Sequence, residues 1–151
     1  MMEYRYAASA IIVGCEGKVL LAQRSPNKSP YPGEWSLPST YVRNISGGLA
    51  ETCESEEEMK AQLIVAVERK LGILIELSEF VGGKTGAQNG YVLRMADYFG
   101  KVVFGSLNPN GVDYSAADYY EPVFKLGFHP KGFCTQVLME RIKEDPDFLV
   151  R

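Results

Sequence analysis

Carboxylates crowd one stretch of this chain, where Glu51, Glu54, Glu56, Glu57 and Glu58 follow one another closely. A hard divalent cation needs several oxygen ligands converging on one point, so the cluster is a candidate metal site. The plainer reading is a solvated helix start whose glutamates satisfy the helix dipole. Arg69 and Lys70 form an adjacent cationic pair, and Arg24 closes an apolar run. Gly82-Gly83-Lys84-Thr85 invites a phosphate-loop reading, but it lacks the G-x4-G-K-[ST] spacing and reads better as a hairpin turn. His129 is the sole histidine, and before Pro130 it reads as structural rather than as a general base. Cys15, Cys53 and Cys134 show no C-x-x-C spacing, so a zinc site is not expected and free thiols are.

The elements that must position these groups follow from patterning. Tyr4 to Val13 and Lys18 to Arg24 are apolar runs joined by Cys15-Glu16-Gly17, which predicts a β-hairpin. Ser25 to Gly33, rich in proline and serine, is a loop, followed by extended pieces at Trp35 to Pro38 and Thr40 to Val42. Asn44 to Gly48 reads as a flexible connection. A helix is predicted over about Ser55 to Leu71. Ser55 caps it with Glu58 in a capping-box pattern, Arg69 and Lys70 suit its negative end, and Gly72 stops it. Leu63, Ile64, Val67 and Leu71 make its apolar stripe.

Strands are expected at Ile73 to Leu77, Glu79 to Lys84 and Tyr91 to Phe99, with a Gly-rich loop from Thr85 to Gly90. Lys101 to Phe104 extends the last of these. Gly105 to Ala117 is turn-rich, Tyr119 to Lys125 a late strand, and Lys131 to Glu144 a terminal helix. At 151 residues, 46% hydrophobic, the chain suits one α/β domain over residues 1–151. A net charge of −3 argues against binding a nucleic-acid polymer through bulk positive charge. The N-terminus lacks a signal-peptide pattern and Ala7 to Val13 is too short to span a bilayer, so a cytoplasmic protein without membrane contact is expected.

One segment is more specific. Val19-Leu20-Leu21-Ala22-Gln23-Arg24-Ser25, followed by Tyr31-Pro32-Gly33-Glu34-Trp35-Ser36-Leu37-Pro38, resembles the entrance to the Nudix domain. In that family a strand ending in arginine precedes a loop, a tryptophan and Leu-Pro-Gly-Gly. The resemblance implies a mixed-sheet α/β/α sandwich and hydrolysis of nucleoside diphosphates linked to another group. It also implies a signature helix, G-x5-E-x7-R-E-U-x-E-E-x-G-U, whose glutamates hold Mg²⁺ or Mn²⁺.

This chain departs from that signature where the metal should bind. Anchored on Gly72 and Ile73, the pattern places Glu57 on the upstream glutamate but Glu51 on the first glycine. Val65 and Ala66 replace Arg-Glu, and Arg69 and Lys70 replace the paired glutamates. Positions 66, 69 and 70 share a helix face, so a metal-binding face has become cationic. Glu68 lies roughly opposite Ala66 and cannot substitute. Arg69 and Lys70 are therefore candidates for direct phosphate contact, arginine as a planar fork and lysine as a point charge. Arg24 is a further candidate through the resemblance, with a surface ion pair as its ordinary alternative.

The resulting expectation is a Nudix-like binder of a nucleotide or other phosphorylated small molecule, with catalysis impaired or lost. Two alternatives stand beside it. One is an active pyrophosphohydrolase using Mg²⁺ or Mn²⁺ on relocated carboxylates, Glu54, Glu57 or Glu58. The other is a structural protein whose tyrosines mark a homodimer face. Trp35 is expected to pack beneath the loop, and Tyr4, Tyr6, Tyr91, Tyr119, Tyr120 and Phe124 could include a base-stacking platform.

Overall fold

An apolar run without polar alternation needs cover on both of its faces. Ala7 to Ile12 is such a run, and every residue of it is buried. It forms most of β1 (Glu3–Ile12), which lies inside a four-stranded sheet of order β4-β1-β6-β5, with β4 at Ser39–Tyr41, β5 at Ile73–Gln88 and β6 at Tyr91–Gly105. The second sheet has order β3-β2-β7, from Val19–Arg24 (β2), Trp35–Ser36 (β3) and Tyr114–Tyr120 (β7). The helices are α1 (Glu56–Leu71), the short α2 (Pro122–Leu126) and α3 (Phe133–Glu144). This computed structural model describes residues 3–29, 31–44, 46–48, 55–88, 90–127 and 132–150. Glu51, Cys53, Glu54 and His129 lie outside them.

The layers are the expected mixed α/β/α sandwich. Even-numbered residues of β1 (Tyr6, Ala8, Ala10 and Ile12) pack with Leu20 and Ala22 against Met59, Leu63, Val67 and Leu71 of α1. Odd-numbered residues (Ala7, Ile11) pack with Leu93 and Met95 against Cys134 and Leu138 of α3. Burying each large apolar side chain of α1 stabilises the fold by about 2 kcal/mol, which is what fixes the helix on the sheet. Ser9 and Asp97 also face inward, paired across β1 and β6, and the Ser9 hydroxyl donates to the carboxylate. Burial pushes the Asp97 carboxyl well above the usual range, and the Ser9 bond only partly opposes this. No helix among the described residues is long and apolar enough to cross a membrane.

Three sequence expectations change. The hairpin from β1 to β2 does not form as a pair, because β4 and β6 already occupy both edges of β1. Only one bridge, Val13 to Val19, joins them, and the chain passes to the second sheet through Glu16 and Gly17, both at positive φ. Next, Thr85 to Gln88 is strand rather than loop, and Gly82-Gly83-Lys84-Thr85 is neither turn nor phosphate loop. The glycines there serve close approach. A Cβ on Gly82 would meet Val137 at 3.1 Å, and one on Gly86 would meet the Phe133 ring at 3.0 Å, so their absence lets α3 settle on the sheet. Finally, β7 begins at Tyr114, inside the stretch read as turns, and Pro122 starts a short helix where extended chain was expected.

The predicted caps of α1 are present. Ser55 Oγ accepts from the Glu58 N–H at 3.1 Å, while the Glu58 carboxylate accepts from Gln62 rather than closing the box. Gly72 takes a left-handed conformation (φ 74°) and its N–H donates to the Glu68 carbonyl. The Leu71 and Lys70 carbonyls accept from the N–H groups of Asn108 and Asn110. A Cβ on Gly72 would lie 3.2 Å from Asn108 Cβ and 3.3 Å from the Ser106 carbonyl oxygen. Gly72→Ala should therefore cost about 1 kcal/mol or more, from left-handed strain plus this crowding. Urea unfolding should show a lower midpoint with an unchanged slope.

Candidate functional site

The C-terminal turn of α1 points at the edge strand β4, and a cavity of about 300 Å³ opens between them. Arg69 and Lys70 line it from the helix. Arg24 reaches it from the end of β2, Lys28 from the following loop, and Arg43 from just past β4. Asp113 is the one carboxylate among its described lining residues. Ala7, Leu93, Met95, Phe133 and Cys134 make an apolar wall, with Tyr31 and Tyr41 beside it. The site is thus cationic on one side and greasy on the other, the composition of a small-molecule pocket for an anion with an organic body.

Each cation is held differently. Lys70 is largely enclosed. Its Nζ donates to the Ser39 carbonyl at 2.9 Å and stands 5.9 Å from the Tyr114 ring centroid. Burial lowers its pKa to about 8; Arg69, Lys28 and Arg24 push the same way and Asp113 opposes them. Asp113 is bound by Lys28 at 2.8 Å and by Asn110 at 2.9 Å. Partial burial would raise its pKa, but these bonds and the Lys70 and Lys28 charges hold it below the usual range. Arg24 donates through one terminal nitrogen to the Ser29 carbonyl at 3.1 Å, while its buried Nε has no described partner. Arg43 donates to the Gly47 carbonyl, and its backbone exchanges two bonds with Gln62. Arg69 is exposed, and no hydrogen bond or ion pair joins it to a described residue.

Tyr114 ties the floor together. Its hydroxyl accepts from the Ser39 N–H at 3.1 Å, so Ser39 is gripped through its carbonyl by α1 and through its amide by β7. Burial raises the Tyr114 pKa, which keeps the phenol neutral. On the far side the Cys134 thiol is pushed up to about 12, by burial first and the nearby Asp97 second, so it is not a ready nucleophile.

The three ligand candidates taken from sequence, Arg24, Arg69 and Lys70, come together in this cavity. Of the carboxylate candidates, Glu57 is exposed and does not line this cavity. Glu58 lines a shallower groove of about 260 Å³ that shares Thr40, Tyr41, Arg43 and Arg69 with the main cavity. No three histidine, cysteine or acidic side chains among the described residues converge as a metal site would require. Nor does the donor set of the main cavity suit Mg²⁺ or Mn²⁺, since five cations face one carboxylate already bound to lysine.

Lys28, Arg43 and Asp113 were not singled out from the sequence. Each sits in a segment that reads as loop or strand end, and only the fold brings it to α1. Trp35 is only half-buried, packed at the margin of the core on the α3 side and edge-on to Tyr120 at 5.0 Å, with Lys125 Nζ 4.2 Å from both ring centroids. None of Tyr4, Tyr6, Tyr91, Tyr119 and Tyr120 lines the main cavity. Arg5 covers Tyr91 at 3.9 Å, and Arg94 lies between Tyr4 and Tyr6 at 5.3 and 5.4 Å. Phe124 is exposed away from the cavity.

By sequence, no protein-family model and no curated protein matches the chain. By structure the likeness is extensive, and the chain has the fold of the Nudix hydrolases. It is similar to the MutT protein from Methanosarcina mazei Go1 at TM-score 0.74 and 18% identity over 96% of each chain. A MutT Nudix hydrolase from Burkholderia pseudomallei superposes at TM-score 0.69 and 21% identity, covering 93% of this chain and 98% of that one. The Nudix domain of Shewanella oneidensis NrtR, solved with ADP ribose, aligns at TM-score 0.60 and 20% identity over 95% of this chain and 88% of that one.

Lys70 also makes a stability signature. A lysine whose pKa falls on folding costs stability while it stays protonated, and the cost fades as pH rises from about 8 towards 10.5. Lys70→Met should stabilise the protein at pH 7 by roughly 1–2 kcal/mol, less than the full shift because the Ser39 hydrogen bond is lost. Melting curves from pH 6 to 10 should show that advantage shrinking at alkaline pH.

Proposed function

We propose that this Nudix-fold protein binds a nucleotide or another phosphorylated small molecule in the cavity between α1 and β4, with hydrolysis impaired or lost. The observation that carries the reading is the pair Arg69 and Lys70. They stand on the helix where the resemblance expects metal-holding glutamates, and both line the cavity. With Arg24 and Lys28 they supply the positive charge that Mg²⁺ or Mn²⁺ would otherwise bring to a diphosphate. Arg69 and the unpartnered Nε of Arg24 have donors to spare for phosphate oxygens. The apolar wall of Leu93, Met95 and Phe133 suits the organic remainder of such a ligand. That a neighbour of the same fold was solved with ADP ribose supports the choice of ligand class.

The described lining residues bind and orient, and the one carboxylate among them, Asp113, is tied to Lys28. An active enzyme would use Glu58 in the adjoining groove, the exposed Glu57 or Glu54, together with carboxylates elsewhere in the chain.

Calorimetric titration with ADP-ribose in EDTA tests the reading. Binding should persist without divalent metal, and Arg69→Ala or Lys70→Met should weaken it tenfold or more, as expected for a lost charged hydrogen bond. Phosphate will stabilise protonated Lys70, so affinity should hold below about pH 7, fall above pH 8, and couple to proton uptake near pH 8. An absolute Mg²⁺ requirement, with turnover lost in Glu57→Gln, would overturn the proposal in favour of hydrolysis.

A further inference from the structure

Lys70 is placed in a way that anion binding alone does not require. Its amine lines the cavity, donates one hydrogen bond to the Ser39 carbonyl at 2.9 Å, and faces the Tyr114 ring. No carboxylate among the described residues pairs with it, because Asp113 is taken by Lys28 at 2.8 Å. Arg69, Lys28 and Arg24 add repulsion from nearby. Enclosure, the lack of a counter-ion and cationic neighbours are the conditions that turn a lysine from a fixed charge into a nucleophilic amine.

We propose that Lys70 forms a reversible imine with a small aldehyde that carries a phosphate group. The neutral amine attacks the carbonyl carbon, and the C=O π pair moves to oxygen, which takes up a proton as the nitrogen loses one. The carbinolamine then expels its hydroxyl as water with one further proton, leaving a C=N bond. One water leaves, and no oxidant or reductant is needed. With the pKa at about 8 before a phosphate binds, roughly a tenth of the amine is neutral at pH 7, a few hundred-fold more than for an ordinary lysine, and a phosphate held close to Nζ would lower that fraction. Arg69 and Arg24 would hold the phosphate while the Leu93 and Met95 wall covers the carbon skeleton, which brings the carbonyl to Nζ. The inference rests on the reading of this cavity as an anion site, and adds covalent capture to it.

Borohydride trapping with pyridoxal 5′-phosphate as the probe tests it on the full chain. Intact mass and peptide mapping at pH 7.5 should show one adduct per chain, on Lys70, forming at least tenfold faster than on any other lysine. Phosphate-free pyridoxal should react at least tenfold more slowly there, and added pyrophosphate should protect. Lys70→Arg, which keeps the charge but not the reactive amine, should remove the adduct. Label spread over exposed lysines, label on Lys28, or equal rates with pyridoxal would overturn the proposal. Calorimetry of the wild-type chain with pyrophosphate in EDTA separates the two ideas. Pyrophosphate binding without Lys70 labelling leaves the anion site and removes the imine. Labelling of Lys70 at equal rates by both aldehydes, without pyrophosphate binding, removes both.

Discussion

The hydrogen bond from Lys70 Nζ to the Ser39 carbonyl joins parts of the molecule that nothing in the sequence brings near one another. Ser39 begins β4, at the edge of the four-stranded sheet, and its amide donates to Tyr114, which opens β7 in the other sheet. One residue is therefore held by α1 and by both sheets. The cavity lies against this junction, with Arg24 and Lys28 arriving from the β2 side and Arg43 from the β4 side. The helix reaches the junction because it ends on time. Gly72 stops it in a left-handed turn, and the Asn108 and Asn110 amides satisfy the Leu71 and Lys70 carbonyls.

That junction sets the electrical character of the site. A carboxylate-lined helix end would draw a divalent cation and, through it, a diphosphate. Here the helix contributes positive charge itself, and the surrounding loops add more instead of neutralising it. Asp113 offsets part of this, but its tie to Lys28 keeps it from becoming a metal ligand or a partner for Lys70. A lysine enclosed among cations is a poor structural choice, since it costs stability while protonated. The proposed anion would offset that cost, because its charge would favour the protonated amine.

Much of the architecture is legible in residue patterns because local rules decide it. Ser55 and Gly72 bound α1 through cap chemistry, and the apolar stripe of Leu63, Val67 and Leu71 tells which face goes inward. Elsewhere a local cue has two tertiary solutions. Gly82 and Gly86 read as turn and loop, yet the same lack of a Cβ lets α3 approach β5. The apolar runs of β1 and β2 read as a hairpin, yet both edges of β1 are taken by strands far away in sequence.

The sequence by itself determined the helix, its ends, the apolar strands and the pairing of Arg69 with Lys70 in the last helical turn. Those features depend on spacing along one element, and spacing is what a sequence states. Tertiary structure alone decided that Lys28, Arg43 and Asp113 would join Arg24 at that helix end, and that Lys70 would be enclosed with no ion pair among the described residues. Proximity between loops and burial of a charge arise only when two sheets and a helix close on one another, and no single segment contains the information to fix either.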